Sequence, residues 1–271
     1  MKKVLVAFLM VALLFSLCAC GVSSDSFMSR SQVSSLVKQY PNPQAVVTLN
    51  YETSTNEKFE VKITYNLLLE QAPLAVTRFI QIANDGGYDN TLVDTLDNSN
   101  HTYMIMGRYE QRDDKYYNVR LADTTFAGEF ESNKYRMPKG GYTDFSLFSL
   151  AMYHDANGES FNSANGTLIL ALASETSEKP ITLNSANYAV FAEYESMTVR
   201  IDDGDANSYK KVSDTVLNHL KNFTTRKSNQ PVYDPNDPNA SSVAVTIMNT
   251  KITLSVEILG NYDWTKLPTI R

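Results

Sequence analysis

The chain has 271 residues, 43% of them hydrophobic and 20% charged, with a formal net charge of −6. This is ordinary globular composition, long enough to bury a substantial core in one large domain or two small ones. An acidic chain without a basic run argues against nucleic acid as a partner and against direct adhesion to anionic lipid.

Met1-Lys2-Lys3 followed by the apolar run 4–17 reads as a secretory signal, a basic n-region and an h-region too short to span a bilayer comfortably. It ends in Leu17-Cys18-Ala19-Cys20-Gly21, which resembles a bacterial lipobox. Residues 1–19 are therefore expected to be removed as a lipoprotein signal peptide, leaving Cys20 as the acylated N-terminus. That would anchor the protein on the extracytoplasmic face of a bacterial cell membrane, since two or three acyl chains hold stably where one is marginal. Cys18 leaves with the signal, so no disulfide is expected and stability must come from packing. Residues 20–43 are rich in Ser and close with Pro41 and Pro43; they are expected to form a flexible tether with a helical patch at 31–38.

A single domain is expected over 44–262. Residues 45–51 and 58–65 alternate as a β-hairpin around a turn at 53–57. Pro73 suits the first turn of a helix, and Val76, Phe79, Ile80 and Ala83 give it one apolar face before Asp85-Gly86-Gly87 stops it. Strands follow at 91–96 and 102–107, around a polar loop at 97–100. Arg112-Asp113-Asp114-Lys115 reads as a solvated charged loop. The apolar run 145–153 and residues 167–173 read as strands, and Tyr209, Val212, Val216 and Leu220 as a second helix. Residues 225–242, with Pro231, Pro235 and Pro238, read as a loop. Two more strands, at 243–247 and 252–258, are close enough to return to the same sheet, and a tail over 263–271 carries Trp264. His101, His154 and His219 are scattered without metal-ligand spacing, so no metal or cofactor is expected. No nucleophile motif is present.

Several stretches resemble the cyclophilin family of peptidyl-prolyl isomerases. The helix and the turn after it, 72–91, look like the family's "APKTVxNFxxLxxxGYYDGT" segment, and Tyr103-Met104-Ile105-Met106-Gly107 is similar to its "GFMIQGG" strand. Phe126-Ala127-Gly128-Glu129-Phe130-Glu131-Ser132-Asn133 resembles "xxGEFxSN", Ser149-Leu150-Ala151 resembles "SMA", and Asn162-Ser163-Ala164-Asn165-Gly166 resembles "NSAGS". Residues 183–192 are similar to "LDGxYAAFG" with one extra residue. These matches fall in the family's order between about 45 and 223. The resemblance implies a mainly β fold, a closed antiparallel barrel of about eight strands with two capping helices. It also implies a cofactor-free prolyl cis-trans isomerase acting on unfolded or extended proline-containing polypeptides.

In that family an arginine beyond the "TIF" strand donates to the prolyl nitrogen, a glutamine supports it, and apolar side chains form the proline pocket. By resemblance Thr95 takes the arginine position and Met106 the glutamine position. Thr167 takes the place of a second glutamine, and Ile169 that of a pocket phenylalanine. Tyr103, Met104, Leu183 and Tyr188 keep the pocket's apolar character. A threonine hydroxyl is short and neutral and cannot mimic a guanidinium donor. Arg108 and Arg112 are near enough in sequence to stand in. Tyr103, Met104 and Ile169 read equally well as ordinary core. Two functions stay open: a folding isomerase with a degenerate site and weak activity, or a non-catalytic peptide-binding chaperone or scaffold. The arginine that reaches the groove separates them.

Overall fold

The structure is a computed structural model. It describes residues 27–97, 100–120, 123, 125–135, 142–154, 161, 163–202, 208–210, 213–227, 231–242 and 246–268. The expected signal peptide 1–19, Cys20, and Asn162, Val212, Val243 and Val245 lie outside these residues.

In chain order the elements are α1 (Arg30–Gln39), β1 (Gln44–Glu52), β2 (Lys58–Leu67), α2 (Pro73–Asn84), β3 (Thr91–Leu96), β4 (Tyr103–Arg112) and β5 (Lys115–Asn118). They continue with β6 (Leu150–Met152), β7 (Leu168–Ala171), β8 (Val190–Asp202), β9 (Ser208–Lys210), α3 (Ser213–Asn222) and β10 (Thr225–Lys227). The last are β11 (Val232–Asp234), β12 (Asp237–Ser242), β13 (Thr246–Met248) and β14 (Ile252–Leu259).

Eight of these strands close a ring in the order β4-β3-β14-β1-β2-β8-β6-β7, and β7 pairs back to β4. Every neighbouring pair in the ring is antiparallel. The mainly β barrel of eight strands expected from the sequence is therefore present. Side-chain alternation fills it: Val47, Leu49, Val61 and Ile63 point inward and are fully buried.

Two of the three described helices, α2 and α3, close opposite mouths. At the mouth where β2 ends, Phe79 of α2 lies 5.1 Å from the Phe191 ring, and the Leu68 amide donates to the Phe191 carbonyl. At the other, α3 inserts Val216 and Leu220, and Phe223 and His219 stand edge-on to Tyr51 and Phe59 at 5.3 and 4.8 Å.

Several local expectations are corrected. The helical patch expected at 31–38 is present as α1 over 30–39, and what differs is that it is docked on the domain instead of lying in a free tether. A capping box between Ser29 and Gln32 starts α1. Val33, Leu36 and Tyr40 are buried; Tyr40 stacks on Trp264 at 4.9 Å and donates its hydroxyl to the Asp263 carbonyl. The charged loop at 112–115 is exposed as expected, and its form is a two-residue hairpin turn, with Asp113 and Asp114 both at positive φ and Arg112 paired to Lys115. Tyr209 belongs to β9 rather than to the second helix. The proline-containing stretch 225–242 is not one loop: it contributes β10, β11 and β12, with Pro235 in the turn between the last two. Met248 and Ile247 pair with β10, while β14 enters the barrel between β1 and β3.

If α1 is part of the folded unit, Leu36→Ala should lower the urea midpoint, corresponding to a loss of about 2–4 kcal/mol. A free tether would show no change.

Candidate functional site

Alternation along β4, β6 and β7 sends one set of residues into the barrel and the other onto its outer wall. Met104, Met106, Leu150, Met152, Leu168 and Leu170 belong to the barrel core. Ala151, Ile169, Ala171 and Val190 face outward, into a separate apolar cluster with Phe145, Ile181 and Tyr188. The loops at 142–149 and 174–189 cover this wall. Tyr103, Tyr153 and Leu183 pack against the cluster and remain half-exposed, so they form the rim of a groove over a buried aliphatic floor. Burial, with Tyr103 and Tyr153 nearby, pushes the Tyr188 phenol up to about 12; burial also raises Tyr103, next to Asp97 and Tyr153. Both stay neutral across the physiological range.

One guanidinium reaches this rim. Arg108, half-buried on β4, sits 4.6 Å from the Tyr109 ring centroid and 5.7 Å from that of Tyr153. Its Nε donates to Asp94 Oδ2 at 2.9 Å, and its Nη2 donates to the same oxygen. Nη1 is the nitrogen that this contact does not use. Asp94 is fully buried, at a point where the β3–β4 register shifts. Burial pushes its carboxyl up to about 6 against the opposing pull of Arg108.

The surroundings hold this wall in place. Arg120, 4% exposed, lies over the Tyr88 ring at 4.7 Å and donates to the carbonyls of Gly107 and Gly87. Gly107 sits at φ +82, and a Cβ there would stand 3.1 Å from the Tyr88 ring, so only glycine lets β4 pass. Asp97 Oδ2 accepts from the hydroxyls of Thr102 and Thr182, tying the loop that carries Leu183 to the β3–β4 hairpin. His154 is buried between the rings of Phe130 and Tyr188, at 5.2 and 4.7 Å, with Nε2 2.6 Å from the Asn187 carbonyl. Glu129 spans the N-terminus of α2: Oε1 accepts from the Leu74 amide at 2.9 Å and Oε2 from the Ala75 amide at 3.0 Å. Ala72, at the N-cap, has no side chain to do this. Burial pushes Glu129 up to about 8, against both amide bonds.

The structure brings Tyr103, Ile169, Leu183 and Tyr188 together in one apolar cluster. Ile169 is wholly buried in the floor. Thr95 pairs with Ile105 and so faces the same wall, half-exposed. Thr167 is buried, its hydroxyl donating to Asn165 Oδ1 at 2.9 Å. Met104 and Met106 are corrections. Both are fully buried inside the barrel, because they share the parity of Leu168 and Leu170 across β7, and neither reaches the groove. Arg112 pairs with Glu110 and lies over Tyr117, away from the groove. Tyr153 and Asp94 also meet at Arg108, though the sequence offers only the end of the apolar run 145–153 for the first and a polar residue within strand 91–96 for the second. Among the described residues no group of His, Cys, Asp and Glu could hold a metal ion.

No protein-family model matches the chain, and no curated protein matches it. Among solved structures, it is similar to a cyclophilin-type peptidyl-prolyl cis-trans isomerase of Cryptosporidium parvum, at 15% identity and a TM-score of 0.37, over 80% of this chain and 99% of that one. The same isomerase in the presence of the dipeptide Ala-Pro matches at 15% identity and 0.36, over 79% and 99%. The Mimivirus cyclophilin matches at 13% and 0.42, over 84% and 93%. The closed barrel itself stands on the strand pairings of this chain.

Two measurements follow from the buried acids. Glu129→Ala leaves two buried amides at the start of α2 without an acceptor and should cost about 1–3 kcal/mol of unfolding free energy, with Glu129→Gln costing less. Asp94 and Glu129 both hold protons in the folded chain that the unfolded chain releases at lower pH. Their stabilising contribution is complete below the unfolded values and is lost as pH rises through about 6 and about 8. The urea midpoint should therefore be higher at pH 5 than at pH 8.

Proposed function

We propose that this protein is a lipid-anchored, extracytoplasmic prolyl cis-trans isomerase that binds extended proline-containing segments in the groove on its barrel wall. The observation that carries the reading is the Arg108 guanidinium at the rim beside Tyr153. Rotation about an X–Pro bond must cross about 18–20 kcal/mol because the amide loses resonance as it twists. The twisted nitrogen regains a lone pair, so a donor aimed at it favours the twisted form over either planar one. Arg108 supplies the donor that Thr95 cannot. Tyr103, Tyr153, Tyr188 and Leu183 supply apolar surface for the proline ring and exclude water around it. The similar Cryptosporidium isomerase was determined in the presence of Ala-Pro, a dipeptide of the class this groove would take. The lipobox-like run ending at Cys20 supports attachment at the outer face of a membrane, where secreted chains fold.

A second reading has its own support. Asp94 occupies two of the three guanidinium nitrogens, an arrangement that suits a peptide-binding module without catalysis. Isomerisation assays on an X–Pro peptide series separate the two. Under the isomerase reading Arg108→Ala lowers kcat/KM roughly 10- to 100-fold, with peptide binding largely kept. Tyr103→Ala weakens binding itself. Binding of the peptides with no acceleration by the folded wild type would establish the module instead.

A further inference from the structure

Asp94 is built unlike the other buried acids of this protein. Glu129 uses both oxygens on backbone amides, and Asp97 accepts from two threonine hydroxyls. Asp94 is fully buried; its Oδ2 takes two bonds from Arg108, and the neighbouring Thr95 hydroxyl and Asp94's own amide also favour the carboxylate. Its Oδ1 is buried without a hydrogen-bond partner among the described residues. A carboxylate contributing only to stability would be expected to satisfy both oxygens, since an unpaired buried acceptor is costly. The β3 register shift at this residue turns the side chain toward β4, where the guanidinium lies.

We propose that Asp94 is the positioning residue of the groove: it fixes Arg108 against Tyr109 and Tyr153 and leaves Nη1 as the donor presented to a bound peptide. The inference rests on the isomerase reading for what Nη1 does, but the positioning itself is independent of it. The groups facing Asp94 are few. Arg108 comes from β4 and Thr95 from β3 itself, while Tyr109 and Tyr153 face the guanidinium rather than the carboxyl. A cavity of about 160 Å³ on the β14 side, which Asp94 lines, brings Tyr116, Arg226 and Lys251. Protonating Asp94 removes the anion that opposes the guanidinium and weakens both bonds. Arg108 then loses its fixed orientation as pH falls through about 6.

The test uses the full chain with isotope-labelled arginine and has two arms. In the first, without any ligand, the Arg108 Nε–H resonance is assigned by its loss in Arg108→Lys. It should exchange slowly at pH 7.5, broaden as pH falls below about 6, and be absent in Asp94→Asn throughout. In the second, isomerisation of an Ala-Pro peptide by the wild type should fall with the same inflection. Asp94→Asn should lose roughly tenfold at pH 7.5, mostly in kcat, and show no inflection. If Asp94→Asn does not fold, the wild-type titration alone decides, because both resonance and rate must follow one transition. An Arg108 resonance indifferent to pH or to Asp94→Asn overturns the positioning role. A wild type that neither binds nor isomerises the peptide, with the resonance behaving as expected, removes the isomerase reading and leaves the positioning intact.

Discussion

The pairing of β4 with β7 is the constraint on which the rest depends. Four residues on each strand, Tyr103 to Met106 opposite Ala171 to Leu168, turn an open sheet into a ring with no free edge at that seam. The same ladder sorts side chains. One parity fills the barrel with methionine and leucine, and the other lays isoleucine and alanine on the outside as the groove floor. A one-residue slip would exchange core and site. Gly107 lies directly beyond this ladder, and the Arg120–Tyr88 clamp lies over it. Arg108 thus emerges directly beside this seam and its clamp.

Charge in this protein is buried at a few places and handled differently at each. Arg120 is surrounded by carbonyls, by Asp123 and by an aromatic face, so its cost is offset locally. Glu129 meets the positive end of a helix. Asp94 meets Arg108 through Oδ2 and leaves Oδ1 without a hydrogen bond among the described residues, a less satisfied arrangement that sits at the barrel wall. Local compromise of this kind at a site, amid consistency elsewhere, is the pattern expected when a surface does chemistry or recognition.

Much of the architecture was legible. The β1–β2 alternation, the α2 face between Pro73 and Ala83, and the two strands after it follow from periodicity. The order of the family-like stretches implied closure of the barrel. What was not legible has physical reasons. Both faces of β4 are apolar because a second layer of loops covers the outer wall, so alternation alone could not tell which face held Met104 and Met106. Asp94 and Arg108 are fourteen residues apart and meet only because the register shifts between them. The strands β10 to β12 are short and lie outside the ring, where prolines are tolerated at turns and edges. The helical patch at 31–38 was legible, but its docking was not, because its two buried aliphatic residues matter only once the C-terminal rings are there to receive them.

The clasp between α1 and the C-terminal tail has a mechanical consequence. Tyr40 stacks on Trp264, and the Tyr262 hydroxyl donates to the Pro41 carbonyl at 2.5 Å, so the segment leading into β1 is buttoned to the residues leaving β14. These two strands are neighbours, joined over eight paired positions. A pull from the N-terminal side of α1 therefore loads aromatic stacking and one helix before it reaches the ladder. Any force that enters through α1 thus meets this clasp before it meets the β1–β14 ladder.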